Sequence, residues 1–81
     1  MLQVSEIRSG DVLHIYTMPD DDGKFIAEVL RDGKLITNES YDTPDLPLRQ
    51  LFQTNIQLGE SSFHFITNGT KIVEYVEYPI L

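Results

Sequence analysis

An acidic turn, two histidines and a serine-containing turn are the groups in this chain whose type and spacing could do chemistry. Asp20-Asp21-Asp22-Gly23 has the ingredients of a calcium loop, in which carboxylates alternate around a bend made by glycine. With Gly23 at the sixth loop position, however, the first ligand falls on Met18 and the bidentate twelfth on Val29, and Glu28 stands one place short. The segment reads as an acidic turn. His14 and His64 are the only histidines, and the chain has no cysteine. A zinc site needs three or four ligands, so each histidine, set among apolar neighbours in a strand-like run, reads as a half-buried structural residue. Gly59-Glu60-Ser61-Ser62 lacks the G-x-S-x-G spacing of a nucleophile elbow. Paired carboxylates for glycoside chemistry need a cleft that shifts one pKa, and 81 residues enclose little volume. There is no phosphate loop and no dinucleotide fingerprint. The expectation is a chain that is not an enzyme and takes no metal, cofactor or small-molecule substrate.

Composition narrows the remaining classes. At 81 residues the chain has room for one domain, 1–81, with a small core. The absence of cysteine removes disulfide staples and suits a reducing compartment. No run approaches the ~18 apolar residues of a membrane span, and Met1-Leu2-Gln3-Val4-Ser5-Glu6 lacks the basic start of a secretory signal. A cytoplasmic location is expected, and the glycosylation spellings at Asn38-Glu39-Ser40 and Asn68-Gly69-Thr70 read as accidental. Thirteen acids against six bases give a net charge of −7. That charge disfavours direct binding to nucleic acid, whose phosphates are neutralised by Lys and Arg, and to anionic membranes. It would steer a basic protein partner inward.

The elements that must position any site are short strands and one helix. Residues 3–10 read as an opening strand or a helical turn, Asp11 to Met18 and Lys24 to Arg31 as strands, and Arg31-Asp32-Gly33-Lys34 as a two-residue hairpin. That turn puts Leu30 opposite Leu35, Val29 opposite Ile36 and Glu28 opposite Thr37. Asp42-Thr43-Pro44-Asp45-Leu46-Pro47 is a helix-start cluster, which predicts a helix from about Leu46 to Thr54. Leu48, Leu51 and Phe52 form its apolar stripe and are expected in the core. A short strand over Ile56 to Leu58 follows. Ser62 to Thr67 and Thr70 to Tyr78 then flank Asn68-Gly69, a second hairpin that predicts Phe65 opposite Ile72, His64 opposite Val73 and Phe63 opposite Glu74. The expected fold is α+β: a small curved antiparallel sheet or partial barrel, in the order β-β-β-α-β-β-β, with one short helix.

Function is therefore sought on surfaces. Residues 20–45 hold eight acids against three bases, which is −5 of the total −7. Such a face either keeps a protein soluble or docks on a basic groove. The apolar end Tyr78-Pro79-Ile80-Leu81 implies docking onto this domain or onto another chain, since termini are usually polar and frayed. Met18-Pro19-Asp20-Asp21-Asp22-Gly23-Lys24, closing a first hairpin in an acidic cysteine-free chain, is similar to a stretch of the short phage inhibitors of uracil-DNA glycosylase. Glu39-Ser40 and Glu60-Ser61 each match the Glu-Ser pair of one branch of those inhibitors. The resemblance spans seven residues, and the second hairpin here departs from the shortest members. It implies an acidic β-rich protein that imitates DNA and seats apolar residues around an enzyme side chain. The expectation is a non-catalytic module, an inhibitor offering negative charge to a basic site such as that of a DNA-handling enzyme. Its partner contacts would be Asp20, Asp21, Asp22, Glu39, Asp42, Asp45, Leu46 and Leu48. The alternative is an SH3-like assembly module that self-associates or docks a subunit through its apolar C-terminus.

Overall fold

Runs rich in β-branched and aromatic residues form the strands, and pleat alternation decides which of their side chains meet the helix. The computed structural model describes residues 1–17 and 23–81, residues 17, 68 and 71 by their backbone. After a 3-10 turn at Val4–Glu6 come β1 (Val12–Thr17), β2 (Phe25–Arg31), β3 (Lys34–Tyr41), α1 (Asp45–Gln53), β4 (Ser62–Asn68) and β5 (Lys71–Pro79). The strands form one antiparallel sheet in the order β3-β2-β1-β5-β4. This is the expected α+β class with an antiparallel sheet, and the sheet is open, with β3 and β4 as its edges. The expected strand over Ile56 to Leu58 shrinks to a single bridge between Leu58 and Ile80. A Cβ on Gly59 would come 2.7 Å from the Pro79 ring, so only glycine lets the chain lie this close to the end of β5.

The first hairpin turns at Asp32 and Gly33, with φ of 52° and 78°, as the Asp-Gly pair requires. Leu30 faces Leu35 as predicted, but a bulge follows, so Val29 meets Thr37 instead of Ile36 and Glu28 meets Asn38 instead of Thr37. A one-residue slip turns every later side chain to the opposite face. Thr37, Glu39 and Tyr41 thereby point to the helix side, where they tie down the start of the chain. Glu39 pairs with the Met1 ammonium at 2.8 Å, the Tyr41 hydroxyl accepts the Leu2 N–H at 3.1 Å, and Thr37 Oγ1 accepts the Gln3 N–H at 3.0 Å. The second hairpin also departs from expectation. Its turn is Gly69-Thr70, flanked by Asn68 and Lys71, so Phe65 faces Glu74, His64 faces Tyr75 and Phe63 faces Val76. Gly69, at φ 65°, takes the first central position, as in a II′ turn. The register moves by two, so the side chains keep their predicted faces.

Helix α1 begins at Asp45, one residue earlier than predicted, with Pro47 in its first turn, where a missing N–H costs no helical bond. Among the described residues no side chain caps it, and Asp42 bonds Lys24 instead. It ends in a Schellman motif. Asn55, at φ 63°, donates to the Phe52 carbonyl and Ile56 to that of Leu51. The face turned inward carries Pro47 and Leu51, four apart. Leu51 is fully buried among Leu2, Leu13, Ile15, Ala27, Val29 and Ile80. Burying such a side chain contributes about 2 kcal/mol. Phe52 corrects the sequence reading: it is 81% exposed, because the next position along a helix is rotated ~100° from Leu51.

Candidate functional site

The Schellman turn sends the chain from Leu51 back along the helix, and the Leu58–Ile80 bridge holds it beside the end of β5. The last residue is anchored by the Leu81 N–H donating to the Gln57 carbonyl at 2.9 Å. Between helix and returning chain lies an open groove of about 730 Å³, lined by Leu48, Phe52, Ile56, Leu58 and Leu81, with Asp45 and Arg49 at its rim. Phe52 and Leu81 stand 81% and 64% exposed. Apolar walls with a charged rim can seat an apolar side chain of another molecule.

The residues predicted for partner contact scatter relative to this groove. Asp45 and Leu48 line it, whereas Leu46, two positions on from Asp45's neighbour Pro44, faces a smaller hollow of about 270 Å³ with Met1 and Tyr41. Glu39 and Asp42 are already engaged within the chain. The Met1 ammonium hydrogen-bonds Glu39 and holds its carboxyl below the usual range, and Lys24, 2.6 Å from Asp42, does the same there. Asp20, Asp21 and Asp22 lie outside the described residues, as do five of the seven residues behind the inhibitor resemblance. The apolar C-terminus docks on its own domain: Ile80 is buried, donates to the Asp11 carbonyl and accepts from the Gly10 N–H.

The opposite face of the sheet carries a polar ladder that the sequence reading did not assemble. His14 Nε2 lies 2.7 Å from Glu77 and Nδ1 3.8 Å from Glu28, which also accepts the Tyr16 hydroxyl at 3.2 Å. Burial, with help from Glu28, pushes the Tyr16 phenol above its usual pKa. Tyr75 packs between the two imidazoles, 4.7 Å from His14 and 5.0 Å from His64. Ser62 Oγ, His64 and Glu77 sit together, but the one nitrogen Nε2 faces both Ser62, at 2.9 Å, and Glu77, at 3.9 Å. A nucleophilic triad needs the acid on the other ring nitrogen, so this trio is not one. Alternation of polar residues at His14 and Tyr16, at Glu28, and at Tyr75 and Glu77 was visible in each strand. Their convergence required the β1–β5 pairing of distant segments.

Among the described residues no group of three or more His, Cys, Asp or Glu is placed to hold a metal ion. Likewise no helix among them is long and apolar enough to cross a membrane. No protein-family model, curated protein or solved structure matches this chain.

Proposed function

We propose that this chain is a non-catalytic, cytoplasmic protein-binding module, an inhibitor in the manner of a DNA mimic, which offers negative charge to a basic site of a protein such as a DNA-handling enzyme. The observation that carries this reading is the groove beside α1, where the exposed Phe52 and Leu81 flank apolar walls and Asp45 stands at the rim with Arg49, so the negative charge comes from the chain as a whole. The net charge of −7 supplies the long-range attraction, and apolar anchors supply affinity once contact is made. Asp45 and Leu48 are the sequence-predicted contacts that this arrangement keeps together; Asp20, Asp21 and Asp22 would add charge. In this reading the groove takes a side chain of the partner and no substrate is turned over.

Capture of basic proteins from a lysate tests it, with wild type, Phe52→Ala and Asp45→Lys as baits at low and high salt. Phe52→Ala is expected to weaken the capture about tenfold or more at either salt, as loss of an aromatic anchor does. Asp45→Lys should weaken it chiefly at low salt. Equal recovery by all three baits, or recovery indifferent to salt, would refute the proposal.

A further inference from the structure

We propose that β4 is a self-association edge, through which two copies of this chain join antiparallel into one continuous sheet of ten strands. An exposed sheet edge presents a row of unpaired backbone groups, and proteins usually blunt such edges with charge, proline, a bulge or a covering segment. The β3 edge has these guards: Lys34, Glu39, the bulge against β2, and the chain start tied along it. The β4 edge, Ser62-Phe63-His64-Phe65-Ile66-Thr67-Asn68, has no Lys, Arg, Asp, Glu or Pro, and its register with β5 runs without a shift.

Parity selects a register for the second copy. Asn68 and Lys71 flank a two-residue turn and form its first hydrogen-bonded pair. By antiparallel alternation Ile66, His64 and Ser62 also spend their backbone groups on β5, while Thr67, Phe65 and Phe63 point theirs outward. Placing a two-fold axis at Phe65 matches Phe65 with its own copy and Phe63 with the copy's Thr67. All three outward residues are then used, with about six hydrogen bonds. No charged side chain meets its like across this junction.

The side chains support the same occupant. Phe63, Phe65 and Ile72 lie on the helix side but beyond its cover, 57%, 62% and 61% exposed, and Ile66 on the other face is 51% exposed. Phe63 and Phe65 already pack edge to face at 4.9 Å. Of these, Phe63, Phe65 and Ile66 stand on the edge strand itself, on its two faces, and together expose on the order of 300 Å² per copy. A second β4 would cover part of that area along with the edge backbone, less than the ~1,200 Å² at which stable interfaces begin, so a weak dimer is expected. A basic peptide gains nothing from an edge without acids. Glu74, opposite Phe65, would stand ~14 Å from its counterpart across three strand spacings, beyond the screening length of ~8 Å at physiological salt. Salt therefore relieves the repulsion between two chains of −7 and strengthens this contact, the reverse of its effect on a basic partner.

Analytical ultracentrifugation of the isolated chain over a concentration series, at low and high salt, tests the proposal. The mass is expected to rise from 9.3 kDa toward twice that, more readily at high salt. The amides of Phe63, Phe65 and Thr67 should gain protection from hydrogen exchange as it does. Phe65→Lys sets like charges against each other on the axis, and Thr67→Pro removes an outward N–H without touching the internal ladder. Each should weaken association about tenfold or more with an unchanged circular dichroism spectrum. A wild type that stays monomeric throughout overturns the inference. So does a dimer that survives both variants, a dimer abolished instead by Phe52→Lys, or β4 amides that gain protection only when a different chain is added.

Discussion

The two halves of the helix-side face are built from similar residues and end in opposite states. Over β1 and β2 the side chains of Leu13, Ile15, Ala27 and Val29 are almost fully covered by Leu51, Leu2 and Ile80. Over β4 and β5, Phe63, Phe65 and Ile72 sit on the same face and stay in water. Nothing about a phenylalanine distinguishes the two settings. Cover does. The nine-residue α1 sets Leu51 into the cluster over β1 and β2, and Phe63, Phe65 and Ile72 lie outside that cluster. Position under the helix, rather than hydrophobicity, decides which apolar residues stabilise this fold.

Truncations on the two halves should therefore cost very different amounts. The largest loss is expected from Leu51→Ala, which opens a cavity under the helix and should remove about 2–5 kcal/mol of unfolding free energy, read from urea or thermal melts. For a chain this small that is a large share of the whole.

Asp11→Asn should come next. Asp11 is 2% exposed and lies just before β1, at the end of the covered half. Its Oδ1 accepts from Arg31 at 2.8 Å and its Oδ2 from the Arg8 N–H at 2.8 Å. A loss of about 2 kcal/mol is expected, modest for a buried carboxylate because Arg31 itself keeps contact with water. The hydrogen bond from Arg31, more than the opposing burial, holds the Asp11 carboxyl below its usual range. The folded state therefore releases this proton more readily than the unfolded chain does. The associated stability is fully present above the ordinary aspartate pKa of ~3.9 and is lost as pH falls through the lower folded value. Melting temperatures of wild type and Asp11→Asn should converge as pH drops below about 4. Parallel curves down to strong acid would assign the effect to packing instead.

The smallest effect is expected from Phe63→Ala. A core phenylalanine lost to alanine costs ~3–5 kcal/mol, but here less than about 1 kcal/mol is expected in dilute solution. A core-sized loss would mean that the β4–β5 half has cover of its own, and the comparison would fail.

Much of this architecture was legible in the residues because the signals were local. Asp32-Gly33 must bend with two positive φ angles, the strand runs alternate, and Pro47 tolerates only the first turn of a helix. Glycine near the second turn was equally visible, yet Asn68-Gly69 and Gly69-Thr70 are both acceptable two-residue turns, and the local residues do not choose between them. The bulge after Leu30 was hidden because it rests on distant residues: Ile36 fits a strand either way, and the slipped register lets Thr37, Glu39 and Tyr41 bond the chain start. Of the predicted contacts, Asp45 and Leu48 share a groove, while Glu39 and Asp42 found partners inside the chain that composition could not reveal.

By itself, then, the sequence determined what short-range sterics and periodicity control: the α+β class, three strands before the helix and a hairpin after it, the first hairpin turn and the net charge of −7. Tertiary structure alone decided which acids stay available, how the His14–Glu77–Tyr75–His64 ladder assembles, and which apolar side chains remain uncovered. Those outcomes depend on pairing between β1 and β5, more than fifty residues apart, and on where one short helix lies across the sheet. Neither leaves a mark on any single stretch of the chain.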